Sequence, residues 1–180
     1  MRDAALFADR DGTLIEFVSY LSSPDRVELL PTVPEGLRTL NDADVPVVVT
    51  TNQSGIGRGY FDRRAAESVH ETMTRKLAAN GAVVDDIYLC PHIPSEGCDC
   101  RKPSPGMLNE AAATHDVDLA ASYVVGDRES DITAGRRVGC TTVLFPSVET
   151  DVDPASSDAD HVVEAFRDVV DVVLDGRPDG

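Results

Sequence analysis

The feature that most limits what this chain can fold into is its set of short, continuous apolar runs: AALFA at 4–8, VPVVVT at 45–50, IYLC at 87–90, SYVVG at 122–126 and TTVLF at 141–145. They are strand-length and do not alternate with polar residues, so they suit strands covered on both faces, as in a parallel sheet. Helical patterns lie between them. The spacing predicts a short helix over 34–43 and a longer one over 62–79, with Asp62 able to cap its start and Gly81 to end it. Ser104 followed by Pro105 is an entry signal for a helix over 105–115, and a further helix over 129–138 is closed by Gly139. The polar, proline-containing stretch 145–160 reads as a loop. After it, 161–176 reads as an edge strand and a closing helix, and the last four residues, RPDG, as a fraying end. Alternation of strand and helix predicts a single α/β, doubly wound domain over 1–180 with a mainly parallel sheet and ligands beyond the carboxyl ends of the strands.

A chain of 180 residues fits one domain with a real core. Its formal charge of -16 argues against broad contact with nucleic acid or anionic membranes, so an anionic substrate needs a local basic pocket. A dispersed acidic excess with few lysines also suggests a halophilic source, where salt suppresses self-repulsion. No segment approaches the roughly 20 apolar residues of a membrane span, and the N-terminus has no signal-peptide core, which points to the cytoplasm. Three of the four cysteines crowd into CPHIPSEGCDC, a pattern that points to metal rather than disulfides. Cys140 stands apart and reads as a small buried apolar residue.

Four strand ends carry polar groups. The first ends in DRDGT, which brings Asp9 and Asp11; by itself this could be an ordinary Asp/Gly turn. The second ends in TTNQSGIGRGY, with Thr51 and Asn52 at the sheet edge and glycines that allow close approach to a ligand. The third edge presents Arg101 and Lys102 just before a helix N-terminus, where anions are favoured. The fourth, VVGDRESD, brings Asp127 and, four residues on, Asp131. A turn, a helix cap or a solvated charge explains each singly, but not four coincident strand ends. Carboxylates from two strands can hold Mg2+, a further carboxylate can attack phosphorus, a neighbouring acid can move protons, and hydroxyl, amide and lysine groups can neutralise the transferring oxygens. The chemistry implied is phosphate-ester hydrolysis.

In this order, DRDGT, TTNQSG, RKP and GDRESD resemble the four motifs of the haloacid-dehalogenase-like phosphatases, over residues 4 to about 145. The resemblance implies that Asp9 is the nucleophile, Asp11 the general acid/base, and Thr51 and Lys102 the binders of the phosphoryl group, with Asn52 assisting. It also implies that Asp9, the carbonyl of Asp11 and Asp127 ligate Mg2+ while Asp131 supports the site from behind. CPH followed by CDCRKP is similar to the capless branch of heptose-bisphosphate and histidinol phosphatases, in which the ligands matching Cys90, His92, Cys98 and Cys100 hold a structural zinc. Three thiolates and an imidazole within eleven residues agree with a closed tetrahedral Zn2+ site that fixes the loop 90–103 presenting Arg101 and Lys102. The implied substrate is a small phosphorylated metabolite, D-glycero-D-manno-heptose 1,7-bisphosphate first and histidinol phosphate as the alternative, with Arg58, Arg101 and Arg128 forming the basic pocket. A polynucleotide 3'-phosphatase lacks the zinc cysteines and is disfavoured by the charge; a receiver domain lacks DRDGT. A monomer is expected.

Overall fold

Every apolar run forms a strand, because each can bury both faces at once. The protein is described here from a computed structural model covering residues 4–147, 149–150 and 152–176; the expected fraying of RPDG falls outside the described residues. The strands are β1 (Leu6–Ala8), β2 (Val47–Asn52), β3 (Asp86–Cys90), β4 (Tyr123–Gly126), β5 (Thr141–Leu144) and β6 (His161–Val162). They make one six-stranded sheet in the order β3-β2-β1-β4-β5-β6, and all five pairings are parallel.

Alternate residues along each strand feed two apolar layers. Leu6, Ala8, Val47, Val49 and Val125 point to one side, where they meet Leu37 and Leu40 of helix α1 (Val33–Asp42), Val69 and Met73 of α3 (Arg63–Ala78) and Phe166 and Val169 of α6 (Phe166–Asp175). Phe7, Val48 and Val124 point to the other side, against Leu108 and Ala111 of α4 (Gly106–His115) and Ala134 of α5 (Glu129–Arg137). Burying each large aliphatic side chain in these layers contributes roughly 1.5–3 kcal/mol, and the period of two explains why the runs are apolar throughout.

The helix boundaries follow local chemistry. Asp62 caps α3 by accepting a hydrogen bond from the Ala65 amide at 2.8 Å, and Gly139, at φ +80°, lets the chain leave α5. Ser104 is not the cap of α4; Pro105 occupies that position with no side-chain cap, and Ser104 instead closes a turn by donating its amide to the Arg101 carbonyl. The glycine-rich stretch expected to be loop contains a single helical turn, α2 (Ser54–Gly57). Within the expected loop 145–160, Pro154–Ser156 forms a 3-10 turn.

The sheet order reverses at β1, which lies between β2 and β4. In an open parallel sheet this reversal leaves a crevice beyond the carboxyl ends of the central strands. Asp9 follows β1, Thr51 and Asn52 end β2, and Asp127 follows β4, so the sequence motifs converge on that crevice.

Candidate active site

The turn after β1 is wound tightly: the Arg10 carbonyl accepts amides from Leu14 at 3.0 Å and Ile15 at 3.1 Å, and the Gly12 amide donates to the Ile15 carbonyl at 2.8 Å. Gly12 sits at φ +80°, and a Cβ there would fall 2.3 Å from Asp127 Oδ2. Both its conformation and the approach of Asp127 therefore require glycine. At β4 the logic repeats, since a Cβ on Gly126 would meet the Asp131 carboxylate at 2.3 Å.

Lys102 crosses from the third loop into the centre. Its ammonium is buried and lies 2.8 Å from Asp9 Oδ1, 2.6 Å from Asp131 Oδ1 and 2.6 Å from the Thr50 carbonyl. Burial alone would lower its pKa, but Asp131 and Asp9 outweigh it and carry the ammonium above the usual lysine range. Asn52 holds Lys102 in place with both ends of its amide: Nδ2 donates to the Lys102 carbonyl and Oδ1 accepts from the Lys102 amide, each at 3.0 Å. Asn52, expected to assist substrate binding, lines the cavity, and its amide is engaged with the Lys102 backbone. The Lys102–Pro103 peptide is cis.

Asp9, Asp127 and Asp131 each bring a carboxylate oxygen within 4.8 Å of the others. Ser147 donates to Asp127 Oδ2 at 3.1 Å, whereas Asp127 Oδ1 is buried with no hydrogen-bond partner. Burial, then the charges of Asp9 and Asp131, push the Asp127 carboxyl up to about 7. Its nearest cation is Arg128 Nε at 3.9 Å, and a buried carboxylate oxygen without a hydrogen bond, beside a second carboxylate, fits a hard divalent cation. Asp131 is committed differently: besides Lys102, its Oδ2 accepts the Arg128 amide at 3.1 Å, closing the N-terminus of α5.

Asp11 opens on the same cavity of about 520 Å3 as Asp9, Arg101, Lys102 and Arg128, which Phe17–Leu21 also line. Arg128 lies over the Phe17 ring, 5.4 Å from its centroid, and Arg101 Nη1 donates to the His92 carbonyl at 3.2 Å. Two of the three expected arginines therefore reach the cavity. Arg58 does not: it is exposed at the end of α2, where its amide closes the turn onto Ser54 and its side chain lies outside the lining. Thr51 is buried at the end of β2, its hydroxyl accepting from Gln53 Nε2 at 2.8 Å.

In the third loop Cys90, Cys98 and Cys100 gather their sulfurs at 2.9, 3.4 and 3.6 Å, and all are free thiols. Sulfurs around a tetrahedral Zn2+ stand roughly 3.8 Å apart for bonds of about 2.3 Å, so the trio is gathered as a thiolate zinc site requires, with Cys90 and Cys100 closer than the ion would hold them. The expected fourth donor is not gathered with them. Glu96 accepts the Ile93 amide at 2.7 Å and holds His92 Nδ1 at 3.2 Å, and neither ring nitrogen joins the sulfurs.

Three contributors escaped the sequence reading. Arg10, between the two acids, is fully buried and grips Asp11; Gln53 donates to Asp11 Oδ2 at 2.8 Å; Ser147 fixes Asp127. The signal for the first two was present, because both lie inside motifs, but residue type alone does not say which way a side chain turns at a strand end.

A model of the HAD-hydrolase-like family matches residues 99–169. The chain is 43% identical over 140 residues to the D-glycero-beta-D-manno-heptose-1,7-bisphosphate 7-phosphatase of Bordetella bronchiseptica, covering 77% of this chain and 78% of that protein. It is 37% identical over 173 residues to the Escherichia coli K12 protein of the same name, covering 92% and 91%. The crystal structure of D,D-heptose 1,7-bisphosphate phosphatase from B. bronchiseptica, complexed with magnesium and phosphate, superposes with a TM-score of 0.83 at 35% identity, over 97% of this chain and 99% of that one.

Proposed function

The chain belongs to the haloacid-dehalogenase-like hydrolases and is a phosphatase, and from that premise we propose that it removes the 7-phosphate of D-glycero-D-manno-heptose 1,7-bisphosphate. The observation that carries this reading is the identity with heptose-bisphosphate phosphatases over nearly the whole chain, combined with a cavity whose anion-binding groups are Arg101, Lys102 and Arg128.

In the proposed reaction the Asp9 carboxylate attacks phosphorus. The P–O bond to the sugar breaks, and the departing oxygen takes a proton from Asp11, leaving an aspartyl-phosphate. Asp11 then accepts a proton from water as that water attacks phosphorus, which releases phosphate and restores Asp9. Lys102 neutralises charge on the transferring oxygens, and Thr51, held by Gln53, shapes the loop beneath them. Asp9, the Asp11 carbonyl and Asp127 would hold Mg2+, which supplies charge stabilisation and orients the phosphoryl oxygens. Cys90, Cys98 and Cys100 would hold a structural Zn2+ that stiffens residues 90–103, with His92 as the fourth donor once its ring leaves Glu96 and turns to the sulfurs.

The protein acts as a cytoplasmic monomer on a small metabolite and not on nucleic acid, and its acidic surface reflects adaptation to salt. No helix among the described residues is long and apolar enough to cross a membrane. The test is Mg2+-dependent phosphate release from both anomers of the heptose bisphosphate, histidinol phosphate, other sugar phosphates and a 3'-phosphorylated oligonucleotide. A preference of about 100-fold in kcat/KM for the heptose bisphosphate, roughly 2.7 kcal/mol of discrimination, is the expected result. An equal preference for histidinol phosphate or the oligonucleotide overturns it.

A further inference from the structure

Arg10 is the largest fully buried side chain among the described residues. Its charge must be met inside the protein, because an uncompensated buried ion costs several kcal/mol. It is met by Asp11: Nε donates to Oδ2 and Nη2 to Oδ1, both at 3.0 Å. This is the two-pronged geometry that a guanidinium forms with a carboxylate and an ammonium cannot copy. Gln53 Nε2 adds a third donor to Asp11 Oδ2 at 2.8 Å and is itself tied to Thr51. The Asp11 carboxylate is thus held from two strand ends, while its side chain remains 17% exposed towards the cavity. Asp9 takes a different cation, Lys102, so the two acids are anchored independently.

We propose that Arg10 is the positioning residue for proton transfer: its guanidinium fixes the plane of the Asp11 carboxyl, whose Oδ1, with one fewer protein donor than Oδ2, carries the proton given to the leaving oxygen and takes one back from the attacking water. This rests on the reading of Asp11 as acid/base. Proton transfer tolerates little misplacement of the donor, and a carboxylate attached by one rotatable bond to a turn needs such support.

The test compares Arg10→Met, Arg10→Lys and Asp11→Asn in the full chain with Mg2+ on two substrates. The heptose bisphosphate has an alkoxide leaving group that needs a proton, whereas p-nitrophenyl phosphate has a phenolate that leaves without one. Since kcat/KM reports steps through departure of the leaving group, loss of proton transfer lowers kcat/KM for the first substrate only. Arg10→Met is expected to lower kcat/KM for the heptose bisphosphate by about 100-fold, within the usual range for general acid catalysis, and to leave that for p-nitrophenyl phosphate within about threefold. For p-nitrophenyl phosphate kcat alone falls, because water attack on the aspartyl-phosphate still needs the base. Arg10→Lys, which keeps the charge and most of the volume, carries the same signature if Arg10→Met does not fold. Equal losses on both substrates, or none, in a folded Arg10 variant overturn the proposal. If Asp11→Asn itself shows no leaving-group dependence, the acid/base reading of Asp11 fails instead.

Discussion

Acidification offers a direct test of how the wall behind the site is built. His70 lies on α3, is buried, and has an Nε2 with no hydrogen-bond partner. Burial first, then the positive charges of Arg10 and Arg63, push its imidazole down to about 3 from an ordinary 6.5. Below pH 6.5 the unfolded chain therefore takes up a proton that the folded chain refuses. His70 contributes stability that is complete above pH 6.5 and is lost as the pH falls towards 3. One pKa unit corresponds to about 1.36 kcal/mol, so lowering the pH from about 7.5 to about 5 removes about 2 kcal/mol through this one residue. That is a large part of a typical net stability of 5–15 kcal/mol. Other groups titrate in the same range, including Asp127, which burial and the charges of Asp9 and Asp131 push up to about 7. The informative quantity is thus the difference between the parent and His70→Gln, which cannot titrate. Urea unfolding at a series of pH values should show His70→Gln gaining on the parent by about 2 kcal/mol across this interval. Parallel pH profiles, or an NMR titration of His70 with an ordinary imidazole pKa, would refute the argument.

Asp9→Asn should fold normally by circular dichroism yet lose about four orders of magnitude in turnover, because it removes the attacking oxygen; substantial activity in the folded variant would exclude Asp9 as nucleophile. Chelation of Zn2+ should speed hydrogen exchange across residues 90–103 and leave the amides of β1 unchanged, and an unaltered loop would count against a metal there. Raising the salt from about 0.01 M to about 1 M shortens the screening length from about 30 Å to about 3 Å, and should raise the melting temperature of a chain with a formal charge of -16. A flat or falling melting curve would argue against relief of self-repulsion.

The fold was legible because burial on both faces leaves a simple imprint. The five apolar runs match β1 to β5 within one or two residues at most ends, since a strand such as Leu6–Ala8 has to be apolar at every position when helices cover it on both sides. The short turn Ser54–Gly57 was not legible. Its single helical turn is held by contacts from outside, including the Gly57 amide on the Pro91 carbonyl at 2.9 Å, and no periodicity records a helix of four residues.

The site divides along the same line. Residues singled out by type near the carboxyl edge of the sheet, such as Asp9, Lys102 and Asp127, stood out in the sequence, and the resemblance implied their roles. Those defined by where a side chain turns could not be read that way. Asn52 faces the Lys102 backbone, Arg58 stays outside the cavity, and His92 is held by Glu96. Arg10 is the sharpest case. In sequence, an arginine between two aspartates in an acidic chain looks like a solvated charge, and only the bend that follows β1 takes it inward. Once inside, its charge must be compensated, and the carboxylate that compensates it is one the proposed mechanism requires to be held still. The burial that hides Arg10 from a sequence reading is therefore the same property that suits it to hold Asp11.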